Sequence, residues 1–114
     1  MERGDLYRVR NPRNDPKPAR TFLVVSRQGF LDVRHSVVAC VPIYSRPEGL
    51  ITEVAIGPNE GMRHESFLRC DEVMSLQRVV LRDYIGCLSP QKLREVNRAL
   101  AIAIDIDPDD LEDL

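Results

Sequence analysis

Short apolar runs with the periodicity of β-strands occupy the first two thirds of the chain. Residues 4–9 alternate between apolar and polar positions, and residues 21–26 and 37–43 are nearly continuous runs rich in β-branched side chains. Residues 52–56 and 67–71 are shorter. Each run has the length of a strand, and glycine and proline separate the later ones. The pattern predicts at least five short strands joined by turns.

The last third of the chain carries one helical pattern. Ser89 and Pro90 are residue types preferred at the N-cap and at the first helical position. Apolar residues then recur on one helical face until Asp105, and Pro108 prevents any continuation. Several strands followed by one C-terminal helix predict a mainly β fold, either a small SH3-like barrel or a similar curled sheet.

Composition limits the class of protein. A length of 114 residues suits one domain, and no apolar stretch approaches the ~18 residues of a membrane span. The N-terminus lacks the basic and apolar regions of an export signal, so we expect a cytoplasmic location. Cys40, Cys70 and Cys87 have no CxxC spacing, which predicts free buried thiols. His35 and His64 stand apart from other ligands, and we expect no metal site.

Charge is distributed unevenly along the chain. The net charge is −2, but residues 105–114 hold six of the 18 acidic residues and no basic one. The rest of the chain is net basic, which is compatible with a partner that carries phosphate. We expect a domain over residues 1–106 and an acidic, disordered tail over residues 107–114. Residues 10–20 contain three prolines and several basic residues, which predicts an exposed basic loop.

Five ordered segments resemble the MazF/PemK (Kid) toxins of type II toxin–antitoxin systems. The segments are RGDLY at 3–7, residues 17–26, PIYS at 42–45, residues 65–72 and IGCLS at 85–89. The resemblance covers about residues 3–106 and implies the PemK-like, CcdB-like form of a small barrel. It also implies a cytoplasmic homodimer that cleaves single-stranded RNA sequence-selectively without a metal or other cofactor and thereby inhibits growth. The implied protein partner is a cognate antitoxin, through which alone operator DNA would be bound, and no membrane is involved.

Three residues are candidates for the chemistry of RNA cleavage. Attack by a ribose 2′-hydroxyl on the adjacent phosphorus needs a proton acceptor and positive charge at the phosphate oxygens. Arg69 and Asp71 would share one face of a strand, and the resemblance to PemK makes Asp71 the general base and Arg69 the phosphate stabiliser. Arg20 matches an arginine that contacts the scissile phosphate in MazF toxins. The alternatives are a surface ion pair between Arg69 and Asp71 and a solvated loop arginine at position 20.

Further residues are candidates for RNA binding. Tyr44 stands where the family commonly has a catalytic threonine, and its phenol can donate to a phosphate oxygen or stack on a base. Ser45 matches a serine of the family, and its hydroxyl could bind phosphate or cap a turn. The remaining candidates are Arg13, Lys17, Arg46 and Phe67. The three basic residues could instead serve solubility, and the phenylalanine could pack inward.

Two other functions stay open at this point. Tyr44 in place of the threonine would suit a family member that binds RNA or an antitoxin without cleavage. A gyrase poison of the CcdB type shares the fold, but those toxins rely on a C-terminal tryptophan and this chain has no Trp. The sequence favours the ribonuclease and leaves the RNA recognition motif undefined.

Overall fold

The computed structural model describes residues 1–111, which form one antiparallel sheet with a C-terminal helix. The strands follow the order β4-β5-β3-β2-β1-β7, and β6 pairs with β3 beside this path. No helix among the described residues is long and apolar enough to cross a membrane. The strands are β1 (Asp5–Arg10), β2 (Ala19–Val24), β3 (Val37–Tyr44), β4 (Glu53–Ile56), β5 (Ser66–Arg69), β6 (Met74–Gln77) and β7 (Asp83–Cys87). The helices are α1 (Gln28–Asp32) and α2 (Pro90–Ala103), with short 3-10 helices at Pro58–Glu60, Cys70–Glu72, Arg78–Val80 and Pro108–Leu111.

The apolar core lies on both faces of the central strands. Along β2, Leu23 packs in a cluster that includes Val96 of α2, while Phe22 and Val24 pack in a second cluster with Leu31 of α1. A strand covered on both faces needs apolar side chains at successive positions. The nearly continuous apolar runs in the sequence therefore mark the central strands of the sheet.

The predicted helix and fold class are confirmed. Ser89 is the N-cap of α2, and its hydroxyl accepts a hydrogen bond of 3.1 Å from the backbone N–H of Lys92. Val96 and Ala99 face the core, which attaches the helix to the sheet. The mainly β architecture closed by one C-terminal helix is the one predicted.

Three local predictions are wrong. Strand β5 ends at Arg69, because Cys70 turns into the core and opens a 3-10 helix, so Arg69 and Asp71 do not share a strand face. The predicted basic loop is shorter, because Arg20 belongs to β2 and its side chain is only 9% exposed rather than solvated. Cys87, at the end of β7, is exposed rather than buried.

The other two cysteines have the predicted environment. Cys40 and Cys70 are free and fully buried, and burial raises the pKa of each thiol to about 12. A thiol with so high a pKa stays protonated at neutral pH and behaves as a small apolar side chain.

The acidic C-terminal segment contacts the last helix. Residues 108–111 form a 3-10 helix, and Asp109 lies 3.7 Å from the guanidinium of Arg98 on α2. Residues 112–114 of the expected tail lie outside the described residues. The boundary at residue 106 stays a prediction.

Two glycines bring the segment between β4 and β5 directly against β7. Gly61 has φ +103°, and a Cβ there would lie 2.4 Å from the carbonyl oxygen of Ile85. A Cβ on Gly86 would lie 2.2 Å from the carbonyl oxygen of Glu60. Neither position has room for a side chain, so the two backbones stay in contact only while both residues are glycine.

Candidate functional site

Tyr44, the last residue of β3, lies against two arginines from the strands on either side of it. The Cζ atom of Arg20 on β2 is 4.0 Å from the centroid of the tyrosine ring, and that of Arg69 on β5 is 3.7 Å away. Guanidinium groups at this distance are attracted by the π-electrons of the ring. We call Arg20, Tyr44 and Arg69 the arginine–tyrosine cluster.

Arg20 is held by one carboxylate and one carbonyl. Asp15 accepts from Nε and, at 3.0 Å, from Nη2, and the carbonyl of Ile43 accepts from Nη1 at 2.8 Å. The hydrogen bond with Asp15 raises the pKa of Arg20 and lowers the pKa of the Asp15 carboxyl. Both groups are therefore charged at neutral pH, and the guanidinium has a fixed orientation.

Arg69 is surrounded by three glutamates. Its Nη1 lies 3.0 Å from Glu48 and 3.3 Å from Glu72, and its Nε lies 3.9 Å from Glu53. The Nε atom is buried and makes no hydrogen bond with the described residues. The described residues thus leave this buried donor without a hydrogen bond, although it lies beside the carboxylate of Glu53.

The carboxylate of Glu53 is stabilised by the backbone. Burial alone would raise its pKa, but the backbone N–H groups of Glu48, Leu50 and Gly49 outweigh this effect and lower the pKa. The bonds from Glu48 and Leu50 measure 3.0 and 2.9 Å. Glu53 therefore stays ionised beside Arg69 and fixes the turn that carries Glu48.

The hydroxyl of Tyr44 donates a hydrogen bond of 2.6 Å to Glu72. Burial raises the pKa of Tyr44, and the bond to Glu72 raises it further. The phenol is therefore a neutral O–H donor at neutral pH. Glu72 accepts hydrogen bonds from both the hydroxyl of Tyr44 and the guanidinium of Arg69, and so connects these two members of the cluster.

Asp71 lies apart from these contacts. Its side chain is exposed, and its carboxylate accepts a hydrogen bond of 2.6 Å from the hydroxyl of Thr52. Among the described residues Arg69 pairs with glutamates and not with Asp71, so the alternative of an Arg69–Asp71 surface ion pair is wrong. The carboxylate that contacts both Tyr44 and Arg69 is that of Glu72.

A cavity of about 160 Å³ opens beside the cluster and gathers four of the predicted site residues. Phe67 lies opposite Tyr44 in the β3–β5 pairing and is half-buried. Arg13 and Arg46 are exposed and do not line this cavity. The lining includes the predicted Lys17, Arg20, Tyr44 and Ser45, together with Met62, His64 and Ser66.

The acidic residues of the site were not predicted from the sequence. Asp15 precedes Arg20 by five residues, and Glu72 follows Arg69 by three. An acid so close in sequence to a candidate arginine was a signal for both pairs, whereas Glu48 and Glu53 reach the site only through the fold. Within residues 1–111, no group of three or more His, Cys, Asp or Glu side chains is placed to hold a metal ion.

Comparison with known proteins identifies related folds. An endoribonuclease from mycobacterial species is 25% identical, with a TM-score of 0.76 over 93% of this chain and 92% of that one. An endoribonuclease in complex with its cognate antitoxin, also mycobacterial, is 26% identical, with a TM-score of 0.77 over 91% and 94%. The Mycobacterium tuberculosis toxin MazF-mt6 is 23% identical, has a TM-score of 0.79 over 90% and 98%, and shows a shared fold.

The family assignment rests on the sequence as well as on the fold. The profile of the PemK-like, MazF-like toxins matches residues 2–104, which is almost the whole chain. The resemblance predicted from five short segments is therefore confirmed. The chain belongs to the PemK-like, MazF-like toxins of type II toxin–antitoxin systems.

Proposed function

We propose that this toxin is a sequence-selective endoribonuclease that cleaves single-stranded RNA without a metal ion. The observation that carries the proposal is the pair of arginines, Arg20 and Arg69, held against Tyr44 beside a cavity lined by Lys17 and Ser45. Two relatives of similar fold, 25% and 26% identical, are endoribonucleases. Oriented guanidinium groups can stabilise the charge of a reacting phosphate without a metal.

The proposed reaction is attack by a ribose 2′-hydroxyl on the adjacent phosphorus. The 2′-oxygen forms a new bond to phosphorus and loses its proton to a base, while the bond to the 5′-oxygen breaks and that oxygen takes up a proton. The products are a 2′,3′-cyclic phosphate and a 5′-hydroxyl. Arg20 and Arg69 stabilise the added negative charge, because a guanidinium binds two oxygens of one phosphate in the geometry in which Arg20 now binds Asp15.

Two carboxylates are candidates for the base. Asp71 is the proposed base by resemblance to PemK, and its exposed carboxylate is bonded to Thr52. Glu72 is a second candidate, because it lies 2.6 Å from the hydroxyl of Tyr44 and 3.3 Å from Arg69. When Glu72 accepts the proton of the ribose hydroxyl, the hydroxyl of Tyr44 becomes free to donate to the phosphate.

The test is incubation of the purified protein with single-stranded RNAs of varied sequence in EDTA. We expect fragments with 5′-hydroxyl ends, which are absent with Arg20→Ala and present with the exposed control Arg94→Ala. Intact RNA with every sequence would refute the proposal. Comparing Asp71→Asn with Glu72→Gln then identifies the base, because only the true base gives a variant that loses the acidic limb of the pH–rate profile.

A second candidate function is binding of RNA or an antitoxin without cleavage. At position 44, where the family commonly has a threonine, this chain has a tyrosine whose hydroxyl donates a hydrogen bond to Glu72. This observation favours the second function. Tyr44→Thr distinguishes the two. Cleavage by the variant alone would establish the binding-only protein, whereas cleavage by the wild type excludes it.

The proposal extends to partners and location. We propose a cytoplasmic homodimer inhibited by a cognate antitoxin, which alone would connect it to operator DNA. One structural relative was solved with its cognate antitoxin, which supports this partner. The remaining proposed contacts for RNA are Ser45, Lys17, Arg13, Arg46 and Phe67. Light scattering of the purified toxin at several concentrations measures the dimer, and a monomer at all of them would contradict it.

A further inference from the structure

A row of arginines lies beside the proposed active site, on the outer face of β1 and the segments next to it. Arg8 and Arg10 are exposed and two residues apart on β1, while Val9 between them is buried. Side chains two apart on a strand share one face at a spacing of about 7 Å. Arg82 immediately precedes β7, and Arg63 lies in the segment between β4 and β5; both are exposed. We call Arg8, Arg10, Arg82 and Arg63 the basic track.

Three adjoining cavities connect the basic track to the arginine–tyrosine cluster. The first, about 360 Å³, is lined by Arg8, Arg10 and Arg82. The second, about 390 Å³, shares Arg8 with the first and adds Arg63 and His64. The third is the cavity beside the cluster, and it shares His64 with the second. A continuous groove therefore runs from the outer face of β1 to the proposed active site.

The arginines of the basic track carry free charge. Within residues 1–111, Arg8, Arg10 and Arg63 form no ion pair, and Arg82 donates its Nε to a backbone carbonyl. Asp83 is the one carboxylate among the described residues that line the first two cavities. Exposed arginines of this kind gain free energy by neutralising phosphates, because the bound counterions of the nucleic acid are released.

We propose that the basic track binds the phosphates of the nucleotides that flank the cleaved bond, so that single-stranded RNA lies along β1 as it enters the active site. The inference rests on the proposed endoribonuclease function and adds a binding site made of residues that take no part in the chemistry. The spacing of Arg8 and Arg10 is comparable to that of successive phosphates in an extended strand. An acidic peptide is a poorer occupant, because it does not explain the continuity with the cavity beside Tyr44.

The experiment measures the salt dependence of RNA binding by fluorescence anisotropy. The probes are 2′-O-methyl RNAs, which cannot be cleaved, of about 12 and about four nucleotides, the range that small nucleic-acid-binding barrels cover. For the longer strand, we expect the variant R8Q/R10Q/R82Q to lower the slope of log affinity against log salt by about 2, since each lost phosphate contact removes about 0.7. Binding of the shorter strand, which fits beside the cluster, is expected to stay unchanged.

The matched control is R27Q/R34Q/R94Q, three exposed arginines that line none of the three cavities. It loses the same formal charge, and we expect its slope to equal that of the wild type. An unchanged slope in the track variant, or an equal loss in the control, would refute the proposal. Binding of a polyglutamate peptide in place of RNA, with the same dependence on the track, would also refute it.

Cleavage of unmodified RNA by the wild-type protein reports separately on the proposed function. Intact RNA together with a slope that depends on the track would refute the endoribonuclease and support the binding site. Cleaved RNA with a slope that does not depend on the track would refute the binding site alone. Thermal unfolding of both triple variants checks that they fold. We expect wild-type behaviour, because none of these six arginines belongs to the core.

Discussion

Two groups of arginines lie in or next to one groove of this toxin, and they are held in opposite ways. The side chains of Arg20 and Arg69 are only 9% and 14% exposed, and they are paired with carboxylates and packed on an aromatic ring. Arg8 and Arg10 on the neighbouring strand are exposed and, within the described part of the chain, unpaired. A guanidinium that is already oriented suits a single reacting phosphate, whereas a free one suits phosphates whose position varies.

Mutation of the paired arginines should mainly affect the stability of the fold, whereas mutation of the exposed arginines should mainly affect the affinity for RNA. Removing a buried, paired charge leaves its partner without compensation, so the cost appears in folding. Removing an exposed, unpaired charge leaves the fold intact, so the cost appears in binding and depends on salt. The two groups of arginines should therefore respond to mutation in different assays.

Arg69→Ala should have the largest effect. Glu48, Glu53 and Glu72 would lose their shared cation, and we expect a loss of about 3 kcal/mol in the free energy of unfolding, at the lower end for buried pairs because the side chains of Glu48 and Glu72 are 53% and 41% exposed. RNA cleavage should fall about 10²–10³-fold. Urea unfolding and a cleavage assay measure the two effects, with exposed Arg94→Ala as the control. A loss of less than about 1 kcal/mol would place Arg69 with the exposed group.

Asp15→Asn tests the pair on the other side of Tyr44. Because the bond to Arg20 lowers the pKa of Asp15, the carboxylate stabilises the fold at neutral pH, and this stabilisation disappears as Asp15 becomes protonated at low pH. We expect the variant to be about 2 kcal/mol less stable at neutral pH, as for a hydrogen bond between charged groups.

The pH dependence gives the sign of the effect. The difference between wild type and Asp15→Asn should shrink as the pH falls from about 5 towards about 2. Urea unfolding at several pH values measures it. A difference that stays constant over this range would mean that the charge of Asp15 does not contribute.

Tyr44→Phe should have a smaller effect, because it keeps the ring against both arginines and removes only the hydroxyl. Glu72 loses one hydrogen bond but is partly exposed and can bind water instead, so we expect a loss of about 1 kcal/mol. A fall in the cleavage rate of the folded variant, beyond what its lower stability explains, would show that the hydroxyl acts on the substrate. Equal falls would assign it a structural role alone.

The smallest effect on stability belongs to the basic track. Arg8→Gln with Arg10→Gln should change the free energy of unfolding by no more than about 0.5 kcal/mol, as is usual for exposed positions. Thermal unfolding measures the change. A loss as large as that of Tyr44→Phe would show that these arginines support β1 and would remove the contrast with the buried pair.

The parts of the fold that the sequence predicted are those with strong patterns. Strands β2 and β3 are buried on both faces, and α2 begins with a capping serine and a proline, so each leaves a clear signal. The missed elements leave none. Strand β6 is mostly exposed, β7 contains Gly86, and α1 has only five residues. Their positions are determined by pairing and packing with distant residues.

The candidate site was predicted in part for the same reason. Arg20, Tyr44 and Arg69 follow from positions at the ends of strands and from the family resemblance. The contact between Arg69 and Glu72 could not be predicted in this way. The strand periodicity expected through Asp71 ends where Cys70 turns into the core, and Glu72 reaches the cluster instead. The early end of strand β5 at Arg69 depends on tertiary packing, which no local sequence pattern records.

The contact between Gly61 and Gly86 makes the width of the groove a property of the backbone. Arg63 and His64 lie two and three residues after Gly61 and line the cavity that Arg8 of β1 also lines. A single methyl group at position 86 would displace this segment, because it would meet the carbonyl of Glu60. This contact could therefore change the width of the groove while every residue proposed to bind RNA stayed the same.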